Sequence, residues 1–202
     1  GFTQKKHFIT FDGAYHGDTV GAVSVGGIDL FHSIFHPLLF QCTQLPYPHI
    51  YRPPKETDEK HCLEYSKQTA LETIQKKHSE IAAVIIEPMI QGASGMRLQP
   101  PGFLSFIASL CRDYHILLIC DEVATGFGRT AKMFAVEHEN VSPDILCLAK
   151  GITGGYLPLA ATLASQDIYD AFLGNFEEFK TFFHGHTYTG NPLACAVAKK
   201  KY

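Results

Sequence analysis

The sequence has no excess of basic residues, no apolar run of membrane-spanning length and no closely spaced cysteine pair. Its 17 Lys and Arg residues stand against 20 Asp and Glu residues, so the net charge of -3 gives no electrostatic signature of nucleic-acid binding. No apolar stretch reaches the roughly 20 residues that a membrane-spanning helix needs. We therefore expect neither nucleic acid nor a membrane as a partner. The hydrophobic content of 46% is ordinary for a globular domain.

The six cysteines form no CxxC pair, which argues against a zinc site and against a disulfide framework. Four of them lie in apolar strand-like or helix-like stretches, where cysteine acts as a small core residue. This use of cysteine is typical of a reducing compartment, so a cytoplasmic protein is expected. The cysteines are Cys42, Cys62, Cys111, Cys120, Cys147 and Cys195.

Short apolar runs alternate with amphipathic stretches, which predicts an α/β fold with a mostly parallel sheet flanked by helices. Five prolines between residues 37 and 57 predict a loop there. The predicted strands cover residues 6–11, 81–86, 116–120, 145–149 and 158–164, and the last of these is expected to run against the others. The predicted helices cover residues 18–25, 58–78 and 101–114, and a last helix begins at residue 191. Asp18 and Thr19 are both candidate caps of the first helix.

Three charged residues lie at or just after the ends of predicted strands: Glu87, Asp121 and Lys150. Ligands of open α/β sheets bind beyond the carboxyl ends of the strands, so we expect a site at this edge. Lys150 stands between a buried strand and a glycine-rich loop, and burial would lower its pKa and provide a nucleophilic amine. The alternative for Lys150 is a side chain that extends to water. Asp121 could instead be a helix cap or a solvated strand end, and Glu87 an exposed strand-end acid.

Two further motifs match known sites only formally. Residues 126–131 fit the G-x-G-x-x-G/A dinucleotide fingerprint, but they do not follow the strand directly and the next strand ends in Lys150 rather than in an acid. His184 and His186 flank Gly185 and could bind a metal, but no cysteine or carboxylate stands at ligand spacing. We expect no metal.

Five stretches together resemble the class III (subgroup II) pyridoxal-phosphate aminotransferases. They occur in the family's order and are spread over almost the whole chain. The stretches are YHGDT at residues 15–19, IIEP at 85–88, DEVATGFGRT at 121–130, KGITGG at 150–155 and TYTGNPLA at 187–194. The resemblance implies pyridoxal 5'-phosphate as cofactor and the large domain of a fold type I transferase.

The resemblance also implies how complete the chain is. The sequence begins at Gly1 without an initiator methionine and ends in a helix-like stretch at Tyr202. In the family, the phosphate cup would precede Gly1, and the arginine for the substrate carboxylate would follow Tyr202. Residues 1–202 are therefore expected to form one cofactor-binding large domain, incomplete at both ends and a fragment of a longer protein.

The family pattern assigns cofactor-binding roles to six residues. Lys150 would be the Schiff-base lysine and would also move a proton during catalysis. Asp121 would pair with the pyridine nitrogen and keep it protonated, while Val123 and Tyr15 would cover the two faces of the ring. Thr187 would reach the phosphate from the partner subunit, which implies a homodimer with shared active sites. His16 would line the same site; a packed core tyrosine is the alternative for Tyr15.

The substrate side of the site is expected to include Tyr15, Asp18, Glu87 and Gly185. Asp18 would help to bind the amino donor, unless it is only a helix N-cap. Glu87 resembles a carboxylate that engages an arginine near the substrate in relatives. The substrates are a small keto acid and an amino donor.

Ala124 narrows the resemblance, because many class III enzymes have glutamine at this position. With alanine here, the sequence resembles the branch of the family that converts 8-amino-7-oxononanoate to 7,8-diaminononanoate in biotin biosynthesis. The amino donor in that branch is S-adenosylmethionine or lysine. Another class III transaminase, of the ω-amino-acid or ornithine type, remains an alternative. So does an inactive fragment of the large domain. A nicotinamide-dependent oxidoreductase is a more distant possibility.

Overall fold

The computed structural model describes residues 2–201, without the side chains of Phe31 and Lys201. Its centre is a six-stranded sheet in the order β2-β1-β3-β6-β7-β8, and a two-stranded hairpin, β4-β5, lies apart from it. The strands are β1 (His7–Phe11), β2 (Thr43–Leu45), β3 (Ile81–Ile86), β4 (Ile90–Gln91), β5 (Arg97–Leu98), β6 (Leu117–Asp121), β7 (Ile145–Leu148) and β8 (Ala161–Ala164).

All neighbouring pairs in the large sheet are parallel except β7 with β8. Every residue of β3 is buried, as expected for the interior strand of a parallel sheet. The expected α/β fold with a mostly parallel sheet is confirmed. The antiparallel strand expected in residues 158–164 is also confirmed, over the shorter range of β8.

Helices α3 and α4 pack against each other and, with the sheet, enclose the main core. Ala70 and Ile74 of α3 face Phe103 and Ile107 of α4, and all four are fully buried. The helices are α1 (Val20–Ser24), α2 (Asp29–His32), α3 (Cys62–Lys77), α4 (Phe103–Asp113), α5 (Gln166–Asp170) and α6 (Pro192–Lys201). Short 3-10 helices lie at Ser33–Leu38, Ala135–Glu139, Lys150–Thr153 and Phe176–Glu178.

Several boundaries differ from the sequence-based expectation. The segment expected to be one loop, residues 37–57, contains β2, which extends the sheet beside β1. Helix α1 begins at Val20 and its N-cap is Thr19, without a side-chain capping bond, so Asp18 is not the cap. Asn191 does cap the last helix, because its Oδ1 accepts the N–H groups of Leu193 at 3.0 Å and Ala194 at 3.3 Å.

The six cysteines are all free. Cys111 and Cys120 are buried core residues, as expected, whereas Cys147 is only half-buried; Cys62 is buried as well. Cys195 is exposed on α6, which contradicts its expected core position; the adjacent Ala194 is the buried residue instead. Among residues 2–201, no helix combines the length and the apolar character that crossing a membrane requires.

Candidate active site

The carboxyl ends of β3, β6 and β7 lie side by side at one edge of the sheet. Ile86 pairs with Cys120, so Glu87 lies next to Asp121 in register. Asp121 pairs with Cys147, and Lys150 follows two residues after the end of β7, at the start of a 3-10 helix. The parallel topology therefore places the three expected residues at one edge.

Asp121 is paired with His16 in a buried contact. His16 Nδ1 lies 2.7 Å from Asp121 Oδ2, and the two side chains are only 2% and 9% exposed. The other oxygen, Oδ1, accepts the N–H of Val123 at 3.0 Å. The alternatives of a helix cap and of a solvated strand end are wrong for Asp121, because its carboxylate is buried at the end of β6.

Glu87 is buried as well, so the alternative of an exposed strand-end acid is wrong. Its carboxylate accepts the backbone N–H of Tyr15 at 3.1 Å and that of Gly92 at 3.2 Å. Burial raises the pKa of Glu87, and the charge of Asp121 raises it further. This shift is opposed by the N–H groups of Tyr15 and Gly92 and by His16. Glu87 thus holds the backbone that presents Tyr15 and His16 to the sheet edge.

The ring of Tyr15 is half-buried, so the packed-core alternative does not describe it. Its hydroxyl donates to Asp18 Oδ2 at 2.8 Å, and its ring stacks on His32, with centroids 6.2 Å apart and planes inclined by 14°. The bond to Asp18, with smaller contributions from burial and from the Asp18 charge, raises the pKa of Tyr15. Asp18 and His32 together fix the orientation of the phenol.

Lys150 is exposed, which contradicts the expected burial of its amine. The physical reason is the composition of its surroundings. A pocket of roughly 480 Å³ contains Lys150 and is lined otherwise by five glycines, Phe127 and Arg129. Glycines have no side chains with which to cover the lysine. Its backbone has a φ of 41°, in the left-handed region that residues other than glycine rarely adopt.

The site residues fall into two groups. In the first group, His16 is bonded to Asp121 and the Tyr15 N–H to Glu87, and the two pairs are linked because Tyr15 and His16 are consecutive. Lys150 lies in the glycine-lined pocket, which none of those four residues lines. Val123 belongs to the first group through its N–H.

Thr187 and Gly185 lie in an exposed stretch, and neither lines the Lys150 pocket. An added Cβ at Gly185 would meet open space. His186 Nδ1 accepts the N–H of Tyr188 at 3.1 Å. Within residues 2–201, no group of three or more His, Cys, Asp or Glu side chains is placed to hold a metal ion.

Two residues near the site were not expected from the sequence. His32 is buried against Tyr15, and Glu122 is completely buried beside Asp121. Successive side chains of an extended chain point to opposite faces of the sheet. Two consecutive acids, Asp121 and Glu122, therefore indicate that only one of the two carboxylates faces the site. Nothing in the sequence links His32 to Tyr15.

Comparison with known proteins identifies the family of the chain. The family model described as aminotransferase class-III matches residues 1–201. Adenosylmethionine-8-amino-7-oxononanoate aminotransferase of Geobacter sulfurreducens is 58% identical over 98% of the chain, and that of Staphylococcus aureus is 54% identical over 98%. The chain covers 44% and 43% of these two relatives, so it spans less than half of their length.

Solved structures show the same relationship. The adenosylmethionine-8-amino-7-oxononanoate aminotransferase of Methanocaldococcus jannaschii has a TM-score of 0.85 and 47% identity, covering 98% of this chain and 43% of that one. An amine transaminase from an uncultivated Pseudomonas species, in its PLP-bound form, has a TM-score of 0.89 and 40% identity, covering 96% and 44%. On these matches, the chain belongs to the class-III aminotransferase family.

Proposed function

We propose that this chain is part of a pyridoxal-phosphate-dependent aminotransferase that converts 8-amino-7-oxononanoate to 7,8-diaminononanoate, a step of biotin biosynthesis. The observation that carries the proposal is the buried His16–Asp121 pair, one strand away from the strand that leads to Lys150. Identities of 58% and 54% to two adenosylmethionine-8-amino-7-oxononanoate aminotransferases support the substrate. The chain spans less than half of these relatives, so the activity is proposed for the whole protein that contains it.

The residues present fit pyridoxal phosphate. Asp121 offers a buried carboxylate whose oxygens are oriented by His16 and by the Val123 N–H, as a partner for a protonated ring nitrogen requires. Lys150 offers an exposed amine in a pocket where Cβ atoms at Gly128 and Gly155 would meet only open space. A buried acid and an accessible lysine on neighbouring strands are the two groups that this cofactor needs from the protein.

When bound, pyridoxal phosphate would supply an aldehyde carbon to carry the amino group and a ring to accept electrons. Asp121 would hold a proton on the ring nitrogen, and His16 would keep the Asp121 carboxylate in place. Tyr15 and Val123 would cover the ring faces and exclude water from them. The Tyr15 hydroxyl is held by Asp18, and this pair would face the amino donor.

Lys150 would hold the cofactor through its Nζ and would then move a proton at the substrate carbon with the same atom. Both tasks require that the amine is accessible, and the structure leaves it exposed. Glu87 would act on the substrate side and, through the Tyr15 N–H, on the position of the ring cover. Thr187 and Gly185 are exposed, which leaves them available to a second subunit in the proposed homodimer.

Covalent labelling tests the cofactor assignment on the protein that contains this chain, at the full length of its relatives. This protein is incubated with pyridoxal phosphate, reduced with borohydride, digested and analysed by mass spectrometry. We expect the pyridoxyl group on Lys150 in preference to the other lysines. Lys150→Arg is the control and should lose that adduct while the labelling of the other lysines stays constant. An adduct spread evenly over the lysines of the native chain would contradict the proposal.

A donor assay tests the substrate assignment. The protein that contains this chain, at the full length of its relatives, is supplied with 8-amino-7-oxononanoate and either S-adenosylmethionine or lysine. Formation of 7,8-diaminononanoate with one of these donors supports the proposal and identifies the donor. The TM-score of 0.89 to an amine transaminase favours one other candidate, an amine or ω-amino-acid transaminase. Turnover of simple amines without any diamine product would favour that candidate instead.

A further inference from the structure

Glu122 has a completely buried carboxylate that the proposed chemistry does not use. Its Oε2 accepts the Thr125 hydroxyl at 2.8 Å and the Ala135 N–H at 2.9 Å. Its Oε1 accepts the Val136 N–H at 2.8 Å. A carboxylate buried in this way is stable only because three donors replace its water, and those donors are thereby fixed in position.

These bonds close a loop, residues 127–133, which we name the Phe127 loop. At its start, the Gly126 N–H donates to the carbonyl of Glu122 at 2.9 Å. At its end, the Glu122 carboxylate holds the two N–H groups that follow Phe134. The loop is also closed on itself, since the N–H groups of Phe127 and Gly128 donate to Met133 at 2.7 Å and 3.2 Å. Glu122 therefore anchors both ends of the Phe127 loop.

The Phe127 loop packs closely against Gly151, the residue that follows Lys150. A Cβ at Gly151 would lie 3.0 Å from the Cβ of Phe127 and 3.3 Å from the carbonyl oxygen of Gly126, which shows how closely the two backbones approach. The backbone N–H of Glu122 also donates to Cys147 on β7, at 2.9 Å. Glu122 is thus connected to Lys150 from both sides, through β7 before it and through Phe127 after it.

Lys150 needs such support because its φ of 41° is unfavourable for a residue with a Cβ. A conformation of this kind persists only where the surrounding structure imposes it. The 3-10 turn Lys150–Thr153 has two bonds of its own, from the Ile152 N–H to Ala149 and from the Gly154 N–H to Gly151, each at 3.0 Å. Phe127 lies close against Gly151 of this turn.

We propose that Glu122 is a positioning residue for Lys150: its carboxylate holds the Phe127 loop against Gly151 and so maintains the strained backbone that presents the amine. The importance of this for catalysis rests on the function proposed above. The mechanical connection does not, because it can be measured without cofactor.

Hydrogen exchange of the cofactor-free chain tests the connection. In Glu122→Gln, an amide group replaces one of the two acceptor oxygens and faces an N–H donor. We expect the amides of Phe127 and Gly128 to exchange at least about tenfold faster, and those of Ile152 and Gly154 to accelerate with them. Rates are compared with those of β3, since general destabilisation would raise all of them together.

The matched control is Glu139→Gln. Glu139 ends the 3-10 helix Ala135–Glu139, whose first N–H groups bond Glu122, and its own Oε2 accepts the Ser105 N–H at 2.8 Å. This substitution removes the same charge from a carboxylate that bonds α4 instead, and it should leave the Ile152 and Gly154 amides unchanged. If Glu122→Gln does not fold, Thr125→Val gives the second measurement, because it removes only the hydroxyl donor and should accelerate the same amides to a smaller extent. Unchanged Ile152 and Gly154 amides beside a loosened Phe127 loop would overturn the proposal.

Labelling with pyridoxal phosphate and borohydride then gives the chemical readout. The fraction of adduct on Lys150 should fall roughly tenfold in Glu122→Gln and stay at the native level in Glu139→Gln, because misplacement of a reacting group is costly. Equal labelling of Lys150 in native chain and Glu122→Gln would overturn the positioning role. Full-length native protein that is not labelled at Lys150 would refute the proposed function, and the exchange experiment would still decide the role of Glu122.

Discussion

His16 and Asp121 are 105 residues apart in the sequence, and their side chains meet at 2.7 Å in the interior of the protein. The contact joins the turn after β1 to the end of β6, across the intervening strand β3. Asp121 has no lysine or arginine among its hydrogen-bond partners in the described part of the chain; these are His16 and the Val123 N–H. The orientation of the proposed ring-nitrogen partner thus depends on a histidine from another part of the fold.

Replacing His16 by alanine should destabilise the fold by about 2–4 kcal/mol, because it leaves the buried Asp121 carboxylate without its side-chain partner. Urea denaturation measures the change in the free energy of unfolding. The matched control is His61→Ala, which breaks a His–Asp contact of similar length, 2.8 Å, between side chains that are 74% and 65% exposed. Water replaces the histidine there, so the loss should be much smaller. Equal losses in the two variants would contradict the buried pairing.

Glu87 should make the stability of the chain fall as the pH rises above the ordinary pKa of a glutamate. Burial raises its pKa in the folded chain, so the folded state binds this proton more tightly than the unfolded state does. Folding is therefore favoured below the unfolded pKa of about 4.5, and this contribution is lost as the pH rises through the folded pKa. Denaturation between weakly acidic and neutral pH measures the effect.

Glu87→Gln is the reference for this prediction because it cannot titrate. We expect the stability of the native chain relative to Glu87→Gln to decrease with rising pH across that window. A difference that stays constant with pH, or that increases, would show that the surroundings do not raise the pKa of Glu87.

Replacing Asp18 by asparagine should lower the pKa of Tyr15 toward the ordinary value for tyrosine, about 10. The hydrogen bond from the phenol to the Asp18 carboxylate is the main cause of the raised pKa, and the Asp18 charge acts in the same direction. Phenolate absorbance reports the titration, and subtraction of the Tyr15→Phe spectrum isolates Tyr15 from the other eight of nine tyrosines. A titration of Tyr15 that is unchanged by Asp18→Asn would mean that the bond at 2.8 Å is not formed in solution.

The sequence is informative about this fold where one physical term dominates. The buried strand β3 is predicted at its observed bounds, because six apolar residues between polar flanks leave little choice. Strand β2 is missed, because three residues among prolines provide no periodic signal and its position comes from pairing with β1. Tertiary contact decides such elements, and local composition does not.

In the candidate site, too, some residues could be predicted from the sequence and others could not. Glu87, Asp121 and Lys150 are expected at one edge because parallel strands end there, and the register agrees. The exposure of Lys150 was predicted wrongly, because a rule for single residues ignores that the neighbours are glycines. The pairing of His16 with Asp121 and the stacking of His32 on Tyr15 join distant parts of the chain, and no local pattern indicates them.

Lys150 should lower the stability of the fold through its backbone conformation, although its amine is needed for the proposed chemistry. Its φ of 41° costs little for glycine and more for any residue with a Cβ. We expect Lys150→Gly to be about 0.5–1 kcal/mol more stable than Lys150→Ala, because both remove the amine but only glycine relieves the backbone. Thermal and urea denaturation of the two variants measure the difference, and neither variant should form a pyridoxyl adduct at this position.

The control for this last comparison is Gly21, which lies inside helix α1 and where an added Cβ would meet nothing within 4 Å. There the order should reverse, since Gly21→Ala gains helix propensity and should stabilise the chain by about 0.5–1 kcal/mol. If alanine is as stable as glycine at position 150, the left-handed backbone is not strained in solution. Lys150 would then need no support from the Phe127 loop, and the amine would owe its position to the local turn alone.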